Sequence, residues 1–356
     1  MPPHVINYQG VTVQSEEISL PEPSSSYFIK ISTCPELTRI YEGFLRPQVL
    51  KTIVTLTITA CSKLCEPLPR ECFQDFTSLN TLVLEDCPKL RLGSENRIPS
   101  SLKDLKIISC PSLLNKQVCM ALENRDSPLS FKISNNYWDS ASFSSEVLPH
   151  LTAFHSLQIR CCDELSSSVA MEYEGRPQGL PSLDLSIRGN FLLSISTWFR
   201  SLKSLSRLII SGGSNVNFLL SEAMRNLSGL RKLTLTECKQ LQSLGLASLS
   251  SLEILTIEKC PKLKSFAPAE ELSGLQDLAI RDCTNLVSLP ADLIRIRSLK
   301  SLYISRCTSL RALPEKGVPS TLESLTIKGC PQLRNRCHKG GADRPKISHV
   351  TNITLE

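Results

Sequence analysis

The chain has 356 residues, of which 41% are hydrophobic, 21% charged and only 5% aromatic, with a formal net charge of +6. That charge is mild and no long Lys/Arg run accompanies it, which argues against a dedicated nucleic-acid binder. No apolar stretch approaches the roughly 20 residues needed to cross a bilayer, and the start Met1-Pro2-Pro3-His4 lacks the basic and apolar blocks of a secretion signal.

Residues 1–25 are polar and rich in Pro and Ser, with Pro21, Pro23, Ser24 and Ser25, and are expected to form a partial repeat or an N-terminal cap. A frame then begins at Ile29, Ile31, Cys34 and Leu37. It returns around Cys61 (Ile53, Leu56, Ile58, Leu64), Cys87 (Leu79, Leu82, Leu84, Leu90) and Cys110 (Leu102, Leu105, Ile107, Leu113). After a looser stretch it fits Cys162 with Phe154, Leu157, Ile159 and Leu165, and weaker copies carry Asn136, Asn190 and Gly213 in place of the cysteine. The most regular run follows at Cys238, Cys260, Cys283, Cys307 and Cys330; around Cys260 it reads Leu252, Leu255, Ile257, Cys260, Leu263. The template is L-x-x-L-x-L-x-x-C-x-x-L-x-x-L, and residues 26–338 hold about thirteen copies spaced 22 to 28 residues apart.

In this template the central apolar pair alternates with period two, so both members point to one face of a short strand. A single strand of that kind cannot bury its apolar face; stacked copies do so as a parallel sheet with a continuous core behind it. The expected fold is therefore an α/β solenoid of leucine-rich repeats, a horseshoe with a parallel concave β-sheet and mostly irregular or short-helical returns. At the anchor, Asn bonds backbone groups and Cys serves as a small hydrophobe. Ten of the fifteen cysteines occupy anchors. The others (Cys65, Cys72, Cys119, Cys161, Cys337) show no paired C-x-x-C spacing, so neither a metal site nor a disulfide framework is expected, and a reducing compartment is. Residues 115–124 read as a short convex helix, Asn135 to Trp138 as an atypical turn, and 166–181 as an irregular return. From 339 to 356 the alternating Val350, Ile353 and Leu355 predict a terminal strand that caps the stack.

The surface left for function is the outward face of the strands, assigned to the residues one, two and four before each anchor. Lys106, Lys132, Arg160, Arg188, Glu258, Arg281, Asp282, Tyr303, Arg306 and Lys328 are the candidate protein-binding residues. Their mixed charge favours a protein partner. No catalysis and no cofactor is expected: a phosphate-cradling G-x-x-x-x-G-K-[S/T], a dinucleotide G-x-G-x-x-G and a G-x-S-x-G elbow are all absent, and the five histidines are scattered. Glu258 and Asp282 fall near each other if repeats stack, but Lys259 and Arg281 alternate with them as on a solvated charged face.

The strings Leu82-Val-Leu-Glu-Asp-Cys-Pro-Lys-Leu90, Leu255-Thr-Ile-Glu-Lys-Cys-Pro-Lys-Leu263 and Leu325-Thr-Ile-Lys-Gly-Cys-Pro-Gln-Leu333 resemble the C-terminal repeats of plant nucleotide-binding, leucine-rich-repeat disease-resistance proteins of the coiled-coil class. Leu289-Pro290, Leu313-Pro314 and the ending Pro345-Lys-Ile-Ser-His-Val350 share the resemblance, which covers nearly the whole chain. It implies a cytoplasmic or nuclear module that recognises a pathogen effector or a guarded host protein. It also implies restraint, in cis, of a nucleotide-binding switch that this sequence does not contain. A second reading is the substrate-binding repeats of an F-box ubiquitin-ligase adaptor. Those repeats continue from the anchor as C-x-x-[I/L]-T-D-x-G-[I/L], whereas here Pro-Lys-Leu or Thr-Asn-Leu follows.

Overall fold

The structure, a computed structural model, describes residues 4–9, 26–38, 50–65, 76–91, 98–113, 129–135, 156–161, 183–188, 205–212, 227–244, 246, 249–266 and 272–356. For 4–9, 134–135, 156–161 and 183–188 the backbone alone is described. The expected helix at 115–124, the turn beyond Asn135, the return at 166–181 and the anchors Asn136, Cys162, Asn190 and Gly213 lie outside these residues.

The chain divides into two compact units, residues 1–161 and 162–356. In the first, the strands β1 (His4–Gln9), β2 (Tyr27–Ser32), β3 (Ile53–Thr59), β4 (Thr81–Glu85), β5 (Asp104–Ile108), β6 (Ser130–Asn135) and β7 (Ser156–Cys161) pair in chain order, all parallel. The polar start thus contributes a strand, with Ile6 in register with Ile29 and Tyr8 with Ile31. In the second unit the order is β8 (Leu183–Arg188), β9 (Leu205–Ser211), β10 (Lys232–Thr236), β12 (Ile254–Glu258), β14 (Asp277–Arg281), β15 (Ser301–Ser305), β16 (Ser324–Lys328) and β17 (Asn352–Leu355). Two short strands in the returns, β11 (Ser243–Leu244) and β13 (Ser265–Phe266), pair separately. This is the leucine-rich solenoid that the repeat frame predicts.

Each regular strand buries its second and fourth residues, and Ile254–Glu258, with Leu255 and Ile257 inside, half-exposes the other three. Register keeps the interior in columns: Leu233, Leu255, Leu278, Leu302 and Leu325 adjoin one another, as do Leu235, Ile257, Ile280, Ile304 and Ile327. Behind them the anchors and the leucines three residues later are buried as well.

The anchor is held by a recurrent turn. The thiols of Cys34, Cys61, Cys87, Cys110, Cys238, Cys260, Cys283, Cys307 and Cys330 each donate to the carbonyl two residues earlier, at 3.3 to 3.5 Å. The residue just before the anchor is left-handed. Thr33, Ala60, Asp86, Ser109, Glu237, Lys259, Asp282 and Arg306 all lie at φ between 51° and 56°, a conformation that costs a residue with a side chain roughly 1–2 kcal/mol. Its N–H is compensated by a bond to the next strand, as from Lys259 to the Arg281 carbonyl at 2.9 Å. Gly212 and Gly329 fill that position without strain, at φ 77° and 60°. The anchors also touch one another. The Cys260, Cys283 and Cys307 thiols are pushed up to about 12, first by the hydrogen bond to the preceding anchor and then by burial. At neutral pH they stay protonated and act as donors, not nucleophiles.

Ahead of the strands a second ladder forms. Ser298 Oγ donates to the Ser273 and Leu275 carbonyls at 2.8 and 2.7 Å, and Thr321 Oγ1 to Leu299 at 3.0 Å. The last return contains helix α1 (Pro331–Cys337), with Pro331 in its first turn, where a missing N–H costs nothing. Leu333 and Cys337, four apart, turn inward together. Asp343 is fully buried and receives Arg336 Nε at 2.9 Å, Lys346 Nζ at 2.8 Å and the Leu313 N–H at 3.0 Å. Burial alone raises its pKa, but the donors from Arg336 and Lys346 prevail and hold the carboxyl below its ordinary 3.8.

Two outcomes follow for stability. Leu255→Ala removes a fully buried side chain and is expected to cost about 2–5 kcal/mol in denaturant unfolding. Asp343→Asn is expected to cost about 1–3 kcal/mol at pH 7, since charged donors lose their acceptor. Because the folded pKa is depressed, that stabilisation is complete above the unfolded carboxyl value and fades as pH falls below it. Urea midpoints of wild type and variant should therefore converge in acid.

Candidate protein-binding face

On each regular strand the first, third and fifth residues point away from the core, which places the outward columns six, four and two residues before the anchor. In the second unit the last of these columns reads Thr236, Glu258, Arg281, Ser305, Lys328, and the middle one Thr234, Thr256, Ala279, Tyr303, Thr326. In the first unit the middle column places Val83, Lys106, Lys132 and Gln158 side by side.

Eight of the ten candidate residues therefore occupy outward columns: Glu258, Arg281 and Lys328 in the last, Lys106, Lys132 and Tyr303 in the middle, and Arg160 and Arg188 at outward register positions of β7 and β8. Arg160 and Arg188 are placed by backbone register alone. Asp282 and Arg306 differ from expectation. They do not lie on the strand face but at the left-handed residue that follows it, because the chain turns there to send the anchor inward. The column six residues before the anchor was missed, although counting back by two from Thr256 reaches Ile254, and from Ala279 reaches Asp277.

The left-handed residues form their own rim. Asp282 takes a two-pronged contact from Arg306, whose Nη2 is 2.6 Å from Oδ2. That hydrogen bond holds the Asp282 carboxyl below the usual carboxylate range and raises Arg306. Lys259 Nζ lies 3.5 Å from Glu237. Exposed pairs of this kind add little to stability; they fix side-chain positions along the edge of the face. Within the face, the Arg281 guanidinium stacks over the Tyr303 ring, 4.8 Å from its centroid, a cation–π contact between neighbouring strands. Beside them Ser305 is buried within the column, and Lys328 reaches Glu356 at 2.9 Å. Arg281, Tyr303, Arg306 and Asp282 thus make one ordered patch across β14 and β15.

Nothing in the patch is arranged for acid–base or nucleophilic work: its carboxylate is bound to a guanidinium. Among the described residues no group of three His, Cys, Asp or Glu side chains is placed to hold a metal ion, and no helix is long and apolar enough to cross a membrane.

No family model matches the chain. Over 60 residues, 17% of the chain, it is 38% identical to Disease resistance protein RPP5 of Arabidopsis thaliana. Over 109 residues, 31% of the chain, it is 28% identical to Protein SUPPRESSOR OF npr1-1, CONSTITUTIVE 1 of the same plant. The matches span only 4% and 7% of those two proteins. Among solved structures, a leucine-rich-repeat protein of Leptospira interrogans is 16% identical, with 98% of this chain and 94% of that one covered and a TM-score of 0.35. The ectodomain of the Arabidopsis thaliana receptor kinase GASSHO1/SCHENGEN3 is 13% identical, covering 86% and 50%, with a TM-score of 0.30. At such scores the fold rests on the strands and anchors themselves. By its repeats the chain is a leucine-rich-repeat solenoid, and over part of its length it is similar in sequence to two Arabidopsis thaliana proteins, one of them a disease-resistance protein.

Proposed function

We propose that the chain is the protein-recognition module of a plant intracellular immune receptor. It senses a pathogen effector or a host protein that an effector has altered, and it restrains a nucleotide-binding switch, in cis where the two share a chain. The observation that carries this reading is the contrast between interior and face. From β10 to β16 the inward columns hold only Leu and Ile, while the outward column at the strand ends changes chemistry at every step from Thr236 to Lys328. A stack held by one set of columns leaves the other free to vary without loss of fold.

The patch at Arg281 and Tyr303 has the residue types that dominate binding energy at protein interfaces, and the mixed charges around it suit partner selection. The similarity to two Arabidopsis thaliana proteins, one of them a disease-resistance protein, supports the class of partner. A reducing compartment, the cytoplasm or the nucleus, agrees with the free thiols at ten buried cysteines.

A photo-crosslinking residue at Thr256, on the face, and another at Lys262, in the return, distinguish the two surfaces in challenged plant cells. Crosslinks to an effector or a defined host protein are expected from Thr256 only. Arg281→Glu should abolish them while leaving the thermal melt unchanged. Crosslinks from Lys262 alone, unaffected by Arg281→Glu, contradict the reading, and a ubiquitin-ligase subunit as partner favours the adaptor alternative.

A further inference from the structure

Away from the strand face, the returns ahead of β15, β16 and β17 enclose a hollow of about 500 Å3. Its lining includes Arg297, Lys316, Lys346 and His349 and not one carboxylate. Two of the four are tied in place: Lys346 Nζ by Asp343 at 2.8 Å and the Leu313 carbonyl at 3.3 Å, and His349 Nε2 by the Pro319 carbonyl at 2.8 Å. Arg297 and Lys316 are exposed and have no ion pair among the described residues. Gly317 brings the returns together. At φ 85° it presents the place of its missing side chain to Lys346, whose Cβ is 3.6 Å away.

Cations gathered in a concavity repel one another and focus a positive potential into it. Asp343 neutralises Lys346, but Arg297 and Lys316 have no acidic partner among the described residues, so an anion from solution is their complement. An arginine fork beside lysines suits a phosphate group, which accepts paired hydrogen bonds and carries more charge than a carboxylate. The one ring in the hollow is the His349 imidazole, tied to the Pro319 carbonyl, and no Phe, Tyr or Trp lines it for a base to stack on, which disfavours nucleic acid. The volume falls in the range of small-molecule sites, not of a macromolecular interface. We propose that this hollow binds a compact phosphate-bearing polyanion, at a site separate from the strand face and independent of the partner that face takes.

The test is calorimetric titration of the intact chain with inorganic tripolyphosphate, alongside citrate at matched ionic strength. Tripolyphosphate is expected to bind with a dissociation constant below about 1 mM. Arg297→Ala and Lys316→Ala, which remove neither core nor ion pair, are each expected to weaken it about tenfold or more. Lys300→Ala, an exposed lysine outside the hollow, should leave it unchanged, and all three variants should melt like wild type. Absence of binding, equal binding of citrate, or equal losses in Lys300→Ala and Lys316→Ala would overturn the proposal.

Discussion

At Cys61, Cys87, Cys110 and the five cysteine anchors from Cys238 to Cys330, the carbonyl two residues earlier accepts two donors at once. At Glu258 one is the Glu237 N–H of the preceding repeat, at 3.0 Å, and the other is the Cys260 thiol, at 3.4 Å. The first bond extends the parallel ladder one residue beyond the strand; the second fixes the anchor side chain inward. Both require the intervening residue to turn left-handed, which is why a strained φ recurs in repeat after repeat with side chains as different as Ala60, Glu237 and Arg306. The cost is met because a parallel stack must bend its chain out of the sheet at the same point each time. The interior columns, the outward columns and the rim of ion pairs all inherit their positions from this turn.

Much of this is legible in the sequence because the interior has a strict chemical requirement. Leu255, Ile257, Cys260 and Leu263 are each fully buried, and the two inward strand positions hold only Leu or Ile from β10 to β16, so the period survives in the letters. The left-handed residue leaves no such trace, since Lys259 and Asp282 look like ordinary surface charges until the backbone is seen. That is why Asp282 and Arg306 read as strand-face residues and are instead its rim. Cys337 was legible only as a leftover thiol; it is buried because α1 turns it inward with Leu333, a local helical spacing inside a repeat otherwise ruled by strands. The cationic hollow was not legible at all, because Arg297, Lys316 and Lys346 come from three successive returns that carry no shared motif.

The same division of labour links fold to function. Columns that build the stack are uniform, so substitutions there are felt along several neighbours. Columns that face outward make few structural demands, and the Arg281–Tyr303 stack with the Asp282–Arg306 pair orders four side chains there without burying any of them fully. Pre-ordered side chains lose less conformational freedom when a partner docks. The last return adds rigidity of another kind, with a buried carboxylate that gathers Arg336, Lys346 and the Leu313 backbone into one knot.

Nine cysteines of the described repeats are interior anchors, each thiol turned inward onto the carbonyl two residues earlier. Alkylation of the native protein without reductant, read residue by residue by mass spectrometry, tests this placement most directly. Cys65, the exposed thiol among those described, should label at once. Cys61, Cys87, Cys238, Cys260, Cys283, Cys307 and Cys330 should label only as denaturant unfolds the chain. Labelling of these anchors at the rate of Cys65, or their recovery as disulfides, would contradict the account.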